Sequence, residues 1–300
     1  MTTLAPRRPS WICALGWRVA VAAGILLVAG LLAAALVRVA PGFGMDERRL
    51  DVRLTSASLE AIERQTSGES NVLLYYGRYL RQLLRGDLGN SLSLGRPVRE
   101  LLAERLAVSF RSGLTGLLLA WMAALAVVAG LELVRRGLTR SVAGVAASLA
   151  TGALLCAPAA VIALACAYIE AAPAMAIAAI VFPRVFCYLR DMAGQARGAD
   201  HVIAAHALGL GPWRILVAHV IAPIAPELLA LAGVSVSMAV GAAIPVEALC
   251  DSPGVGQLVW QAALARDLPV LVNVTLLITA LTVMANLMAD TARFAREAEA

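Results

Sequence analysis

Charge-free gaps constrain this chain more than any motif does. A helix crossing a hydrocarbon core of about 30 Å needs about 20 residues, and a charge at its centre is costly. Five gaps meet that length: about 19 residues between Arg18 and Arg38, about 20 between Arg111 and Glu132, about 29 between Arg140 and Glu170, about 19 between Glu227 and Glu247 and about 22 between Asp267 and Asp290. A sixth segment, from about Ala171 to Leu189, is apolar except for Arg184, and the flanking segments need it to connect on consistent sides. With 60% hydrophobic residues, 15% charged ones and a mean hydropathy of +0.79, the chain holds more apolar surface than one soluble domain can bury. The expected fold is an all-α membrane protein, a six-span helical bundle.

Every basic side chain is Arg, and the absence of Lys excludes Schiff-base chemistry and a phosphate-loop lysine. The net charge of +5 reflects topology rather than nucleic-acid binding, because the arginines flank apolar runs. With the N-terminus in the cytoplasm, the inner segments hold Arg7, Arg8, Arg18, Arg135, Arg136, Arg140, Arg184, Arg190, Arg197, Arg214, Arg293 and Arg296, while the short outer loops hold Arg266. The bias predicts both termini inside. The expected plan is an N-terminal tail over 1–18, a first span over 19–40, an outer loop over 41–108, a five-helix core over 109–289 with an inner loop at 190–222, and a tail over 290–300. The first span, preceded by Arg7 and Arg8, is longer than a signal-peptide core and reads as an uncleaved anchor.

The outer loop has structure of its own. Val72, Tyr76, Leu80, Leu83 and Leu84 recur at helical spacing, with Arg78, Arg81, Gln82 and Arg85 on other faces, which predicts an amphipathic helix on the bilayer surface or on the bundle. Ser58 with Glu60 suggests the start of another short helix. Gly86–Pro97 carries three glycines and a proline and predicts a turn into the second span. On the inner side, Ala204, Ala205, Ala207 and Leu208 form a small helical patch. Gly209 and Gly211-Pro212 interrupt it, and Trp213, Ile215, Leu216 and Val217 resume a helix. A short exposed helix of this kind suits a partner's groove.

Five cysteines without a CxxC spacing, and three histidines without a metalloprotease or finger pattern, predict neither disulfides nor a metal site. No GxSxG, HExxH or GxGxxG motif occurs, so no catalytic residue is expected. Arg184 inside an apolar span is a pathway candidate, against the alternative that it snorkels to headgroups. Glu247 is a second pathway candidate and, with Asp251, gives the outer mouth an acidic edge; a solvated carboxylate at a helix end explains it equally well. Gly144, Gly152 and Pro158 in span three suit close packing and kinking.

The stretch IAAHALGLGPWRILVAHVIAP resembles the EAA loop of ABC importer membrane subunits: Ala204, Ala205 and Gly209 match, Ile203 stands where the glutamate falls, and Pro223 comes one place late. LLRGDLGNSLSLGRPV (Leu83 to Val98) and PVEALCDSPGVGQLVWQAALARDLPVL (Pro245 to Leu271) are similar to segments of the dipeptide/oligopeptide/nickel-type permeases, and the long outer loop is also that family's layout. The sequence departs from the family in its short connection at Glu170–Pro173 and in Leu208 and Ala218, where relatives tend to carry basic residues.

The resemblance implies a type I ABC importer permease in a bacterial inner membrane, forming the pathway for a small, peptide-like solute. It implies a second homologous permease, two ATPase subunits that bind ATP and Mg in place of this chain, and a periplasmic or lipid-anchored solute-binding protein as partners. Ala204, Ala205, Gly209, Trp213 and Arg214 would form the ATPase-coupling segment. Arg78, Arg81 and Arg85, with Asp251 and Asp267, would form the binding-protein docking surface. The rival reading is a stand-alone secondary transporter or an assembly scaffold; the lack of inverted repeats and midplane acids disfavours the transporter.

Overall fold

The computed structural model describes residues 11–39, 72–133 and 138–299. Among the described residues there is no strand, only an isolated bridge between Asn90 and Pro97. The helices are α1 (Trp11–Val39), α2 (Val72–Leu84), α3 (Val98–Leu133), α4 (Leu138–Cys156), α5 (Ala159–Tyr168), α6 (Pro173–Arg197), α7 (Asp200–Ala207), α8 (Pro212–Arg214), α9 (Ala225–Leu249), α10 (Val255–Leu264) and α11 (Leu268–Glu299). A π-helix over Ile215–Ile221 continues α8. Five helices (α1, α3, α6, α9 and α11) are long and apolar enough to span a bilayer, and α4 with α5 makes a sixth if that bent pair counts as one span. The bundle is therefore helical throughout with up to six spans, as the charge-free gaps require.

The long third gap is not one straight span. α4 and α5 meet at an angle of 99°. Pro158 has no amide to donate and bars a helical conformation at the residue before it, so the helix stops at Cys156 and restarts at Ala159. Three helices also run on beyond the limits expected for their spans. α3 begins at Val98, inside the stretch assigned to the outer loop, α6 continues to Arg197, inside the stretch assigned to the inner loop, and α11 continues to Glu299 through the stretch assigned to a tail.

The chain divides into two compact units, Met1–Leu101 with Gln261–Val283, and Leu102–Trp260 with Met284–Ala300. In the first, α2 docks on α1: Tyr76 Oη donates to the Leu27 carbonyl at 2.9 Å. Gly30 permits this approach, since a Cβ there would lie 2.5 Å from Tyr76 Oη and 2.9 Å from Leu276 Cδ2. Tyr76, Tyr79, Leu268 and Val272 form a small apolar cluster around that contact. The apolar face of the amphipathic helix thus packs on protein, against α1 and the start of α11. Ser58 and Glu60 fall outside the described residues.

In the second unit α6 is the central helix and packs against α4, α5, α9 and the π-helix. Ile177, Val181, Val185 and Leu189, spaced four apart, bury one face, and Phe186 stacks on Phe182 at 5.9 Å. Gly116 of α3 meets α6 closely, where an added Cβ would come within 2.8 Å of the Ala174 carbonyl. α6 is the most buried of the five span helices, although it carries Arg184 and the inner Pro183 and has the lowest hydropathy of the five.

Candidate functional site

The first candidate site is a hairpin of α7, a turn, and α8 with its π-helix. α7 ends at Ala207, and Gly209 in the turn after it has a φ of +72°, in the left-handed region that a Cβ disfavours. Space does not select glycine there, since nothing lies within 4 Å of an added Cβ; backbone conformation does. α7 has two sides. Val202 and Ala205 are buried in the core, whereas Ile203, Leu208 and Trp213 are 60%, 79% and 62% exposed. Ala204, Gly209 and Arg214 are exposed as well, so of the residues assigned to coupling, Ala205 alone turns inward and packs against its own bundle.

The second candidate site lies at the other end of α9. Glu247, in the last turn of that helix, is fully buried. Ser109 Oγ donates to its Oε2 at 2.9 Å, the Gly256 amide to the same oxygen at 2.7 Å, and Ser112 Oγ to Oε1 at 3.3 Å. The Val255 amide in turn donates to Ser109 Oγ at 2.7 Å. Two glycines make room. A Cβ on Gly254 would collide with the Glu247 carboxylate, and one on Gly256 would come within 2.7 Å of the Ala243 carbonyl and of Ile244 Cα. On the exposed side, Arg105 Nη1 donates to Gln257 Oε1 and Gln257 Nε2 to Asp251 Oδ1, both at 2.6 Å. Glu247 is therefore neither a solvated helix-end acid nor part of an acidic rim. Its oxygens are consumed inside the fold, because a buried carboxylate is tolerated only when hydrogen-bonded.

The third site, in the other unit, is built on Asp267, just before α11. Its Oδ2 accepts from Ser91 Oγ at 2.5 Å, from the Ser93 amide at 2.9 Å and from Ser93 Oγ at 2.7 Å, while Oδ1 accepts from the Val270 amide at 3.3 Å in the manner of an N-cap. Burial by itself raises the pKa of this carboxyl. The donors from Ser91, Ser93 and Val270 outweigh burial and hold it below the usual aspartate range. Nearby, Tyr79 Oη donates to Asn273 Oδ1 at 2.7 Å and Asn273 Nδ2 to the Leu88 carbonyl at 2.8 Å. The expectation that Asp267 lies on a docking surface is wrong: it is fully buried, and its charge is spent on holding the 91–93 turn.

Of the other assigned docking residues, Arg81, Arg85 and Asp251 are exposed, and the side chain of Arg78 lies outside the described residues. Arg184 is exposed on α6, beside the buried Pro183 and Val185. Gly86, Gly89 and Gly95 all take positive φ, from +64° to +79°, which makes Gly86–Pro97 the expected irregular turn. The partners of the two acids, Ser91, Ser93, Ser109, Ser112, Gly254 and Gly256, escape sequence reading. The one signal, for the Glu247 set alone, is a carboxylate at the end of an apolar run followed closely by a Gly-x-Gly.

Helices of spanning length, a hairpin protruding before α9 and a Gly-rich segment after it are the parts of a transport bundle, and residues 116–295 match the profile of the binding-protein-dependent transport system inner membrane component family. The chain belongs to that family. Among similar proteins, one from Brucella suis biovar 1 named as a peptide permease is 26% identical over 307 residues, covering 92% of this chain and 94% of the relative. A peptide transport system permease protein from the same organism is 24% identical over 302 residues, covering 91% and 94%. The dipeptide transport system permease protein of Haemophilus influenzae is 26% identical over 118 residues, 39% of this chain and 35% of that protein. The protein is thus a multi-pass inner-membrane permease subunit of an ABC importer, a transport component that works with ATPase subunits and a solute-binding protein.

Proposed function

We propose that this permease admits peptide-like solutes, pairs with a second, homologous permease and has both termini in the cytoplasm, with α7 and α8 seated on an ATPase subunit. The single observation behind the coupling assignment is the exposed apolar set Ile203, Leu208 and Trp213 around the left-handed Gly209. Large apolar side chains, Trp above all, anchor interfaces when a partner desolvates them. The peptide class is taken from the names of relatives that match over nearly the whole chain. The Arg distribution supports the orientation. Arg81, Arg85 and Asp251 remain the docking candidates for the binding protein, and the burial of Glu247 leaves Arg184 as the stronger pathway candidate of the two.

In this mechanism, ATP-driven closure of the ATPase subunits displaces α7 and switches the pathway between its two faces. The switch requires ATP to favour one state over the other by a few kcal/mol. Copurification with the ATPase subunit, and hydrolysis stimulated by the binding protein, test it. Trp213→Glu is expected to abolish both, and Gly209→Val, which forces a branched residue into left-handed backbone at about 1–2 kcal/mol, is expected to abolish stimulation. Wild-type behaviour of both variants would refute the coupling assignment.

A further inference from the structure

α6, the most buried of the span helices, leaves one polar stripe uncovered. Arg184, Tyr188, Asp191 and Gln195 are all exposed, Tyr188 at 51%. At about 100° of rotation per residue the four fall within an arc of about 60° and so share one face. Phe186, Leu189 and Ala193 hold the opposite face in the core. Among the described residues, the side chains of Arg184, Tyr188 and Asp191 take part in no hydrogen bond or ion pair. Arg190, a third of a turn around the helix, is the contrast: its Nη1 donates to the Gly144 carbonyl of α4 at 3.3 Å and to Ser148 Oγ. The bundle uses that arginine for packing α4 on α6 and leaves the stripe unspent. α6 is 25 residues long, about 37 Å, and Arg184 sits near its middle. Ionisable groups so placed are costly against lipid and face water or partners. A long arginine can snorkel out of lipid, whereas the short Asp191 cannot.

We infer that this stripe is a subsite of the solute pathway that holds a short peptide by its two charged termini: Arg184 takes the carboxylate, Asp191 takes the ammonium, and Tyr188 lies between them along the peptide backbone. The inference rests on reading the solute as peptide-like. Seven residues of helix set Arg184 and Asp191 about 10 Å apart along the axis. An extended chain covers about 3.3–3.6 Å per residue, so a tripeptide bridges the pair. A guanidinium meets a carboxylate through two parallel N–H···O bonds, which gives the peptide a fixed direction on the helix.

The test uses the whole transporter in proteoliposomes with its binding protein, comparing uptake of a labelled free tripeptide with that of its C-terminal amide and its N-acetyl form. The binding protein is the same throughout, so its own preference cancels in the ratio of variant to wild type. Arg184→Gln is expected to slow the free tripeptide by at least about fivefold and the amide by less than about twofold. Asp191→Asn is expected to slow the free tripeptide but not the acetylated one, and Arg184→Lys, which keeps the charge, to recover most of the rate. Independently of transport, Tyr188→Cys is expected to react with a charged thiol reagent beyond the labelling of the native cysteines. Equal slowing of free and blocked peptides would make the two charges structural and overturn the subsite. So would a Tyr188→Cys thiol that the reagent does not reach, which would place the stripe against lipid or against a second permease. The broader reading fails separately: wild-type vesicles that take up no peptide refute the peptide assignment, whereas wild-type peptide uptake untouched by Arg184→Gln and Asp191→Asn removes the subsite alone.

Discussion

Glu247 and Asp267 are both fully buried acids at the ends of apolar helices, and each draws in several donors, but the fold accommodates them by different means. Around Glu247 the decisive residues are the ones that contribute least bulk. Gly254 and Gly256 leave the volume that the carboxylate and the α9 backbone occupy, and the Gly256 amide reaches the carboxylate because no side chain intervenes. Around Asp267 the decisive residues contribute hydroxyls, with Ser91 and Ser93 turned onto the acid while Leu92 and Leu94, which alternate with them, stay exposed. One site is closed by shape and the other by hydrogen-bonding groups. Damage should follow that division: steric at Glu247, electrostatic and pH-dependent at Asp267.

The largest expected effect is that of Gly256→Ala. The new methyl group meets backbone atoms of Ala243 and Ile244, which cannot rotate away, and the cost is about 3 kcal/mol, the upper part of the overpacking range. Thermal unfolding in detergent measures it. Gly254→Ala is expected to cost less, about 2 kcal/mol, because its obstacle is the end of a side chain. The Glu247 carboxylate yields only by giving up the Ser109 and Gly256 bonds. In a Glu247→Ala background the obstacle is gone, so Gly254→Ala is expected to become nearly neutral; additive losses would show that the glycine serves something other than the acid.

Asp267→Asn is expected to cost about 1.5 kcal/mol near neutral pH, since the charged acceptor of several donors becomes neutral. The pH dependence has a definite sign. Because the native carboxyl titrates below its unfolded value, its stabilisation is full above the usual aspartate range and is lost as pH falls through the depressed native value. The acid limb of an unfolding profile is expected to flatten in Asp267→Asn, and an unchanged limb would assign that limb to other groups. The smallest effect is that of Ser93→Ala, about 0.5 kcal/mol. The Ser93 amide still donates to Asp267, so the variant is expected to fall below Ser91→Ala in cost; the reverse order would mean that the hydroxyls and not the backbone set the 91–93 turn.

Much of the bundle was legible because its determinants are local. A charge in hydrocarbon is costly wherever it falls, so charge-free gaps mark spans, and α2 could be placed within a residue from the spacing of its apolar positions. The three left-handed glycines of Gly86–Pro97 and the one at Gly209 sit where glycine clusters announced turns. The bend between α4 and α5 was half visible: Pro158 signals a kink, but an angle of 99° is set by what the two halves pack against.

What the linear chain could not disclose was the fate of its acids. Exposure depends on which distant segment covers a residue, and both Glu247 and Asp267 looked like rim carboxylates because each adjoins a loop. Ser109 lies 138 residues before Glu247 and Ser91 lies 176 before Asp267, and no periodicity within a window links residues so far apart. The same holds for His201 and His219, which the folding of α7 back along the π-helix brings within hydrogen-bond distance. Hydropathy and helical period act over a few turns and so are written in the order of residues. The pairing of buried polar groups is decided by tertiary contact, because a desolvated donor or acceptor takes whichever partner the packing brings within reach.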